Sequence, residues 1–181
     1  MANLARTQKD RGGVRSRGSR GGAAARGSGT LVEYLAFRLA GELYAVPVTA
    51  VQEIVKPPMI TPVPRAPRHV LGIMSGRGRV VTVVDTRRKL RLEEQPATPK
   101  SRVLIADTGE ERIGLWVDEV LMVFRFGESE IERSALAVGG DVAPHIAGIA
   151  RPADTKTDAR GREQVGSSDV LILLDLKALL T

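Results

Sequence analysis

VVTVVDTRRKL (residues 80–90) and VLILLDLKALL (residues 170–180) are two versions of one phrase. Each is a five-residue strand-like run, then an aspartate (Asp85, Asp175), then a short segment that ends on Leu90 or Leu180. Runs of this length and texture suit strands. The echo continues upstream, where His69-Val-Leu-Gly72-Ile73 matches His145-Ile-Ala-Gly148-Ile149 at an offset of 76 rather than 90. Further upstream, Phe37-Arg-Leu-Ala-Gly41 and Val48-x-x-Val51 correspond to Leu104-Ile-Ala-Asp107-Thr-Gly109 and Val117-x-x-Val120. The same elements in the same order imply two copies of one small fold, with loop insertions between them. A twin module presents two related faces with a cleft between them. Such a shape suits bridging partners better than it suits chemistry.

The chain of 181 residues, 43% of them hydrophobic, is long enough for one globular unit of two lobes. It contains no cysteine, which excludes disulfides and thiolate-bound metals. No apolar run resembles a secretory signal or a membrane span, so the expectation is a soluble, cytoplasmic protein. The net charge of +6 is unevenly placed: residues 1–29 hold seven of the 27 basic groups and one of the 21 acidic groups. The remainder is therefore neutral. The Gly/Arg/Ser-rich tail has no aromatic residue and too little apolar surface to order itself, so it reads as disordered. Its arginines could make weak, sequence-blind contacts with nucleic acid or with an anionic surface. A solvated extension is the simpler reading.

From Leu31 the chain turns to strands. Tyr34–Leu39 and Glu42–Val46 flank Ala40-Gly41 as a hairpin. Thr49-Ala-Val51-Gln-Glu53-Ile54-Val55 is either extended or one helical turn, and the prolines at 57, 58, 62, 64 and 67 forbid a long helix or a central strand after it. Strands are expected near His69–Met74 and Arg79–Asp85 around Gly76-Arg77-Gly78, with a short helix at Thr86–Leu90. Residues 91–100 read as the connection between copies. The second copy repeats the pattern with a hairpin (Arg102–Ala106, Arg112–Val117), an apolar stretch to Phe126, strands near Ile146–Ile149 and Val170–Leu174, and a terminal helix. A polar insertion at 151–169 accounts for most of the drift in offset. Short strands punctuated by glycine and proline indicate an all-β protein of small closed or half-closed barrels.

Catalytic groupings are scarce. His69 and His145 occupy equivalent places, which suits a structural role at a strand edge better than a metal or an acid–base role. Asp118-Glu119 and Glu93-Glu94 are neighbours whose side chains diverge, and they read as solvated faces. Gly76-Arg77-Gly78-Arg79 lacks the Lys-Ser/Thr and the helix of a phosphate loop and reads as a turn. The expectation is a protein without catalytic, cofactor or metal sites.

Gly72-Ile-Met-Ser75-Gly76-Arg77-Gly78-Arg-Val-Val-Thr82-Val-Val-Asp85-Thr86-Arg87 resembles the signature of the CheW family of chemotaxis coupling proteins. Val51-Gln-Glu53-Ile54, Gly114-Leu-Trp-Val-Asp118, Gly148-Ile149 and Leu171-Ile-Leu-Leu-Asp175 extend the likeness over about residues 33–180. The resemblance implies two SH3-like five-stranded barrels (about 33–92 and 100–181) within a domain of residues 30–181, with a hydrophobic groove between them. It implies a non-catalytic adaptor in a receptor array, linking the cytoplasmic tip of a chemoreceptor to the regulatory domain of the histidine kinase CheA. It also implies partner-binding roles for Glu53 and Arg77, and groove or barrel positions for Val51, Gly72 and Gly148. The alternative is a docking protein that associates with nucleic acid or an anionic surface through its tail.

The chain departs from the signature where the family's Asn-Leu is Ser75-Gly76, its Pro is Thr82 and its Asp-Leu-Arg is Asp85-Thr86-Arg87. Gly76 loosens the turn that presents Arg77. Arg77 itself has no counterpart in the second copy.

Overall fold

The computed structural model describes residues 30–107, 109, 111–133, 143–152 and 169–180. The basic tail (1–29) and most of the polar insertion (153–168) lie outside these residues. Eleven strands are described: β1 (Val32–Leu39), β2 (Glu42–Pro47), β3 (Val51–Val55), β4 (Val70–Gly76), β5 (Arg79–Asp85), β6 (Arg102–Asp107), β7 (Arg112–Val117), β8 (Glu119–Phe126), β9 (Ile131–Glu132), β10 (Ile146–Ala150) and β11 (Leu171–Leu174). Two short helices, α1 (Thr86–Lys89) and α2 (Leu176–Leu180), follow β5 and β11. The all-β expectation holds, and of residues 49–55 the first two lie in a 3₁₀ turn while Val51–Val55 is extended.

The strands form a six-stranded sheet, ordered β8-β1-β2-β11-β10-β9, and a five-stranded sheet, ordered β3-β6-β7-β5-β4. Position by position, β8, β1, β2, β11 and β10 match β3, β6, β7, β5 and β4. The repeat is therefore real, but its copies do not fold separately as consecutive barrels over 33–92 and 100–181. Each copy lends its first hairpin to the sheet of the other. Hairpin β1–β2 pairs with β8 and, in parallel, with β11; hairpin β6–β7 pairs with β3 and, in parallel, with β5. The cause is local. Pro47 ends β2, and the single 3₁₀ turn Val48–Ala50 carries the chain out of one sheet and into the other. At the matching place, Asp118 alone separates β7 from β8, its N–H donating to the Arg38 carbonyl at 3.1 Å.

Continuous apolar runs follow from burial on both faces of each sheet. Leu35, Phe37 and Leu39 of β1, Tyr44 and Val46 of β2, Leu104 of β6, Leu115 and Val117 of β7 and Leu174 of β11 meet in one core shared by the sheets. The intervening residues line two smaller cores: Ala36, Ala45, Leu171 and Leu173 on the six-stranded sheet, and Val81, Val83, Val103 and Ile105 on the five-stranded one.

The repeated phrase now has a physical reading. The Asp85 N–H donates to the His69 carbonyl at 2.7 Å, and the Asp175 N–H to the His145 carbonyl at 2.9 Å. Each aspartate then caps its helix, Asp85 accepting from the Arg88 N–H and Asp175 from the Ala178 N–H, both at 3.2 Å. A register break falls between Val70 and Gly72 and again between Ile146 and Gly148.

Thr86 stands where the second copy has Leu176. It is fully buried, and its hydroxyl oxygen finds no hydrogen-bond partner. A buried hydroxyl without a partner costs about 1–3 kcal/mol. Thr86→Val keeps the shape and removes that cost, so we expect it to raise unfolding free energy by about 1 kcal/mol, read as a higher denaturant midpoint at unchanged slope.

Candidate partner-binding site

The β4–β5 hairpin closes on the pair Gly76–Arg79, which leaves Arg77-Gly78 as a two-residue loop. Both loop residues have positive φ, 46° and 75°, the signature of a type I′ turn. Glycine adopts this conformation freely, but an arginine there costs roughly 1–2 kcal/mol. The Arg77 side chain is 81% exposed, and its Nε lies 3.0 Å from Oε2 of Glu53, whose side chain is 30% exposed. Glu53 sits on β3, at the edge of the sheet opposite β4. The hairpin tip thus reaches back across the five-stranded sheet to its other margin. An ion pair this open to water contributes roughly 0–1 kcal/mol, so it does little to hold the fold.

Apolar side chains adjoin this pair in sequence. Ile54 next to Glu53 is 44% exposed, and Val80 just beyond the turn is 68% exposed. Met59 and Val63, on the proline-rich segment after β3, are also exposed. The equivalent edge, β8, carries Met122 where β3 carries Glu53. The two edges of the repeat are chemically different.

The other sequence-derived positions do not gather around Arg77. Val51 begins β3 and packs, half-buried, against the shared core. Gly72 has φ of 146°, and a Cβ there would stand 2.2 Å from the Thr61 carbonyl oxygen, where the proline-rich segment bridges back to Ile73. Gly148 lies in the other sheet, where a Cβ would meet the Ile131 side chain at 2.9 Å and the Glu132 carbonyl oxygen at 3.0 Å. Both glycines are required by close packing. Gly72→Ala should destabilise the fold by on the order of 2–3 kcal/mol through backbone strain alone, a loss that thermal unfolding would detect.

One site residue escaped the sequence reading. Arg87 is only 4% exposed. Its Nε donates to Oδ1 of Asp118 at 2.8 Å and a terminal nitrogen donates to Oδ2. The guanidinium also reaches the Glu93 carbonyl and, at 3.1 Å, Oε1 of Gln95. The Ala40 N–H donates to Asp118 Oδ2 at 2.8 Å. Asp118 is therefore no solvated neighbour of Glu119: it joins the β1–β2 turn to α1 through a fork of charge-assisted bonds. The bond to Asp118 raises the Arg87 pKa above its ordinary value. The available signal was that both residues fall within the segments that carry the family resemblance.

Among the described residues no three His, Cys, Asp or Glu side chains cluster as metal ligands, and no helix is long and apolar enough to cross a membrane. Nδ1 of His145 pairs with the Ala178 carbonyl at 2.8 Å. Burial, then Lys89 and His145, hold the His69 imidazole below its ordinary pKa. A base depressed in this way contributes stability that is intact above the unfolded value of about 6.5 and is lost as pH falls below it. His69→Gln should lose less stability than the parent between about pH 7 and 5.5, measured as melting temperature against pH.

Two pseudo-symmetric sheets that share a core and present unlike edges define an interaction module. Residues 33–181 match the family model described as CheW-like domain, and the chain belongs to that family. The chemotaxis protein CheW of Bacillus subtilis is 33% identical over 117 residues, which cover 65% of this chain and 75% of that one. Protein FrzA of Myxococcus xanthus is 32% identical, with 65% and 72% covered. For CheW of Helicobacter pylori the match is 28% identical and spans 56% of this chain and 62% of the relative, just under two thirds of its length. The crystal structure of the scaffolding protein TtCheW from Thermoanaerobacter tengcongensis superposes with a TM-score of 0.69 at 28% identity, covering 83% of this chain and 92% of that one.

Proposed function

We propose that this protein is a non-catalytic adaptor of a chemotaxis-type signalling system, coupling the cytoplasmic tip of chemoreceptors to the regulatory domain of a CheA histidine kinase. In this reading it works in the cytoplasm, at receptor arrays, and reaches the membrane only through the receptors. The contact centres on Arg77 and Glu53, with Ile54 and Val80 as apolar flanks. Val51 and Gly72 support it by fixing β3 and β4, and Gly148 fixes β10 in the other sheet.

The observation that carries the proposal is the state of Arg77. A strained backbone holds a charged side chain 81% exposed, while its ion pair adds little stability. An arginine at a turn position that glycine would fill without strain supports a functional role for its side chain. Family membership supplies the class of partner. Co-sedimentation of the full chain with a receptor signalling domain and CheA tests the proposal. The chain should enter the pellet and raise the amount of CheA there, whereas no binding to either partner at tens of micromolar would reject the adaptor role.

A further inference from the structure

The exchange of hairpins leaves neither half of the chain with a complete sheet. Residues 32–89 supply β1 and β2 to one sheet and β3, β4 and β5 to the other; residues 102–180 supply the rest. Among the described residues, the covalent tie between the halves is the segment from Leu90 to Ser101. A second copy of the chain offers the same strand edges as the chain's own second half. Closed monomer and reciprocally exchanged dimer then share every strand pairing and differ in this segment alone.

The segment carries opposed features. Arg91 has φ of 56°, a left-handed bend that a non-glycine residue resists and that an extended connection would release. Against this, the segment is tied to α1. The Leu92 N–H donates to the Arg87 carbonyl at 2.8 Å, and Arg87 holds the Glu93 carbonyl and Gln95. Arg88 donates to Oε2 of Glu94 at 2.9 Å, and Leu90 is buried in the shared core. In an exchanged dimer Arg87 would still meet an Asp118, now from the other chain. The ties to Glu93, Glu94 and Gln95 hold the bend of the closed form, and extending the segment from Leu90 into an exchanged dimer gives them up.

We propose that the clamp of Arg87 and Arg88 on residues 92–95 is a lock that keeps hairpin exchange within one chain, and that loosening it yields a dimer of two copies exchanging halves. The test uses the full chain and the double variant Glu94→Ala/Gln95→Ala, which leaves the Arg87–Asp118 pair intact. Both are refolded from denaturant at about 1 mM, near the effective concentration a short tether provides, and sized by chromatography with light scattering. The variant should show about tenfold more dimer than the parent. That dimer should persist for hours after dilution and return to monomer only after a second passage through denaturant. A variant with no more dimer than the parent would overturn the lock. A dimer that dissociates at once on dilution would overturn it too, because it would be an ordinary surface contact.

Discussion

Arg77→Glu should abolish receptor control of the kinase while leaving thermal unfolding nearly unchanged. The substitution places two carboxylates together at the hairpin tip and removes the cation that pairs with Glu53 there. With the Arg77 side chain 81% exposed, water screens that repulsion, and the stability cost should stay within about 1 kcal/mol. Reversal of an interfacial charge has no such shelter, since like charges brought together as a contact desolvates cost several kcal/mol. The readouts are receptor-stimulated CheA autophosphorylation and a thermal melt of the same preparation. Loss of both together would assign Arg77 to the fold. Arg77→Gly gives an independent check, because glycine suits the left-handed turn: the melt should rise slightly while coupling falls.

The second large effect belongs to Arg87. Its guanidinium makes bonds to Asp118, Glu93 and Gln95 with almost no access to water. Removing one partner of a buried pair strands the other, a loss of about 3–5 kcal/mol. Arg87→Ala should lose that amount in denaturant titration, and Asp118→Ala slightly less, since the Asp118 side chain remains 26% exposed. The double variant should cost much less than the sum of the two, as expected for residues in direct contact. Additive losses would show that the pair is not the source of the stability.

These two arginines mark what could and could not be read from the chain. The Arg77 turn was legible because glycines flank it and a valine-rich strand follows. The short helices at Thr86 and Leu176 and the hairpin at Ala40-Gly41 were legible for the same reason: each rests on residues close in sequence. Pairing between distant strands was not. A period of two tells which side chains share a face, but it does not name the strand alongside. The exchange of hairpins depends on β2 meeting β11 and β7 meeting β5, pairings that no local pattern encodes. Asp118 was misread for a related reason. Its partner lies 31 residues away, and beside Glu119 it had the look of an exposed acid. Internal likeness revealed the repeat; Arg77 and Arg87 both belong to its first copy, the one exposed at a turn and the other buried against Asp118 of the second.

The most direct test is the affinity of the Arg77→Gly chain for the CheA regulatory domain, measured by titration calorimetry beside the parent. If the exposed arginine is the contact, binding should weaken at least about tenfold, the scale of an interfacial residue worth more than 1 kcal/mol, with the melt equal to or above that of the parent. An unchanged affinity for both CheA and the receptor tip would contradict the account.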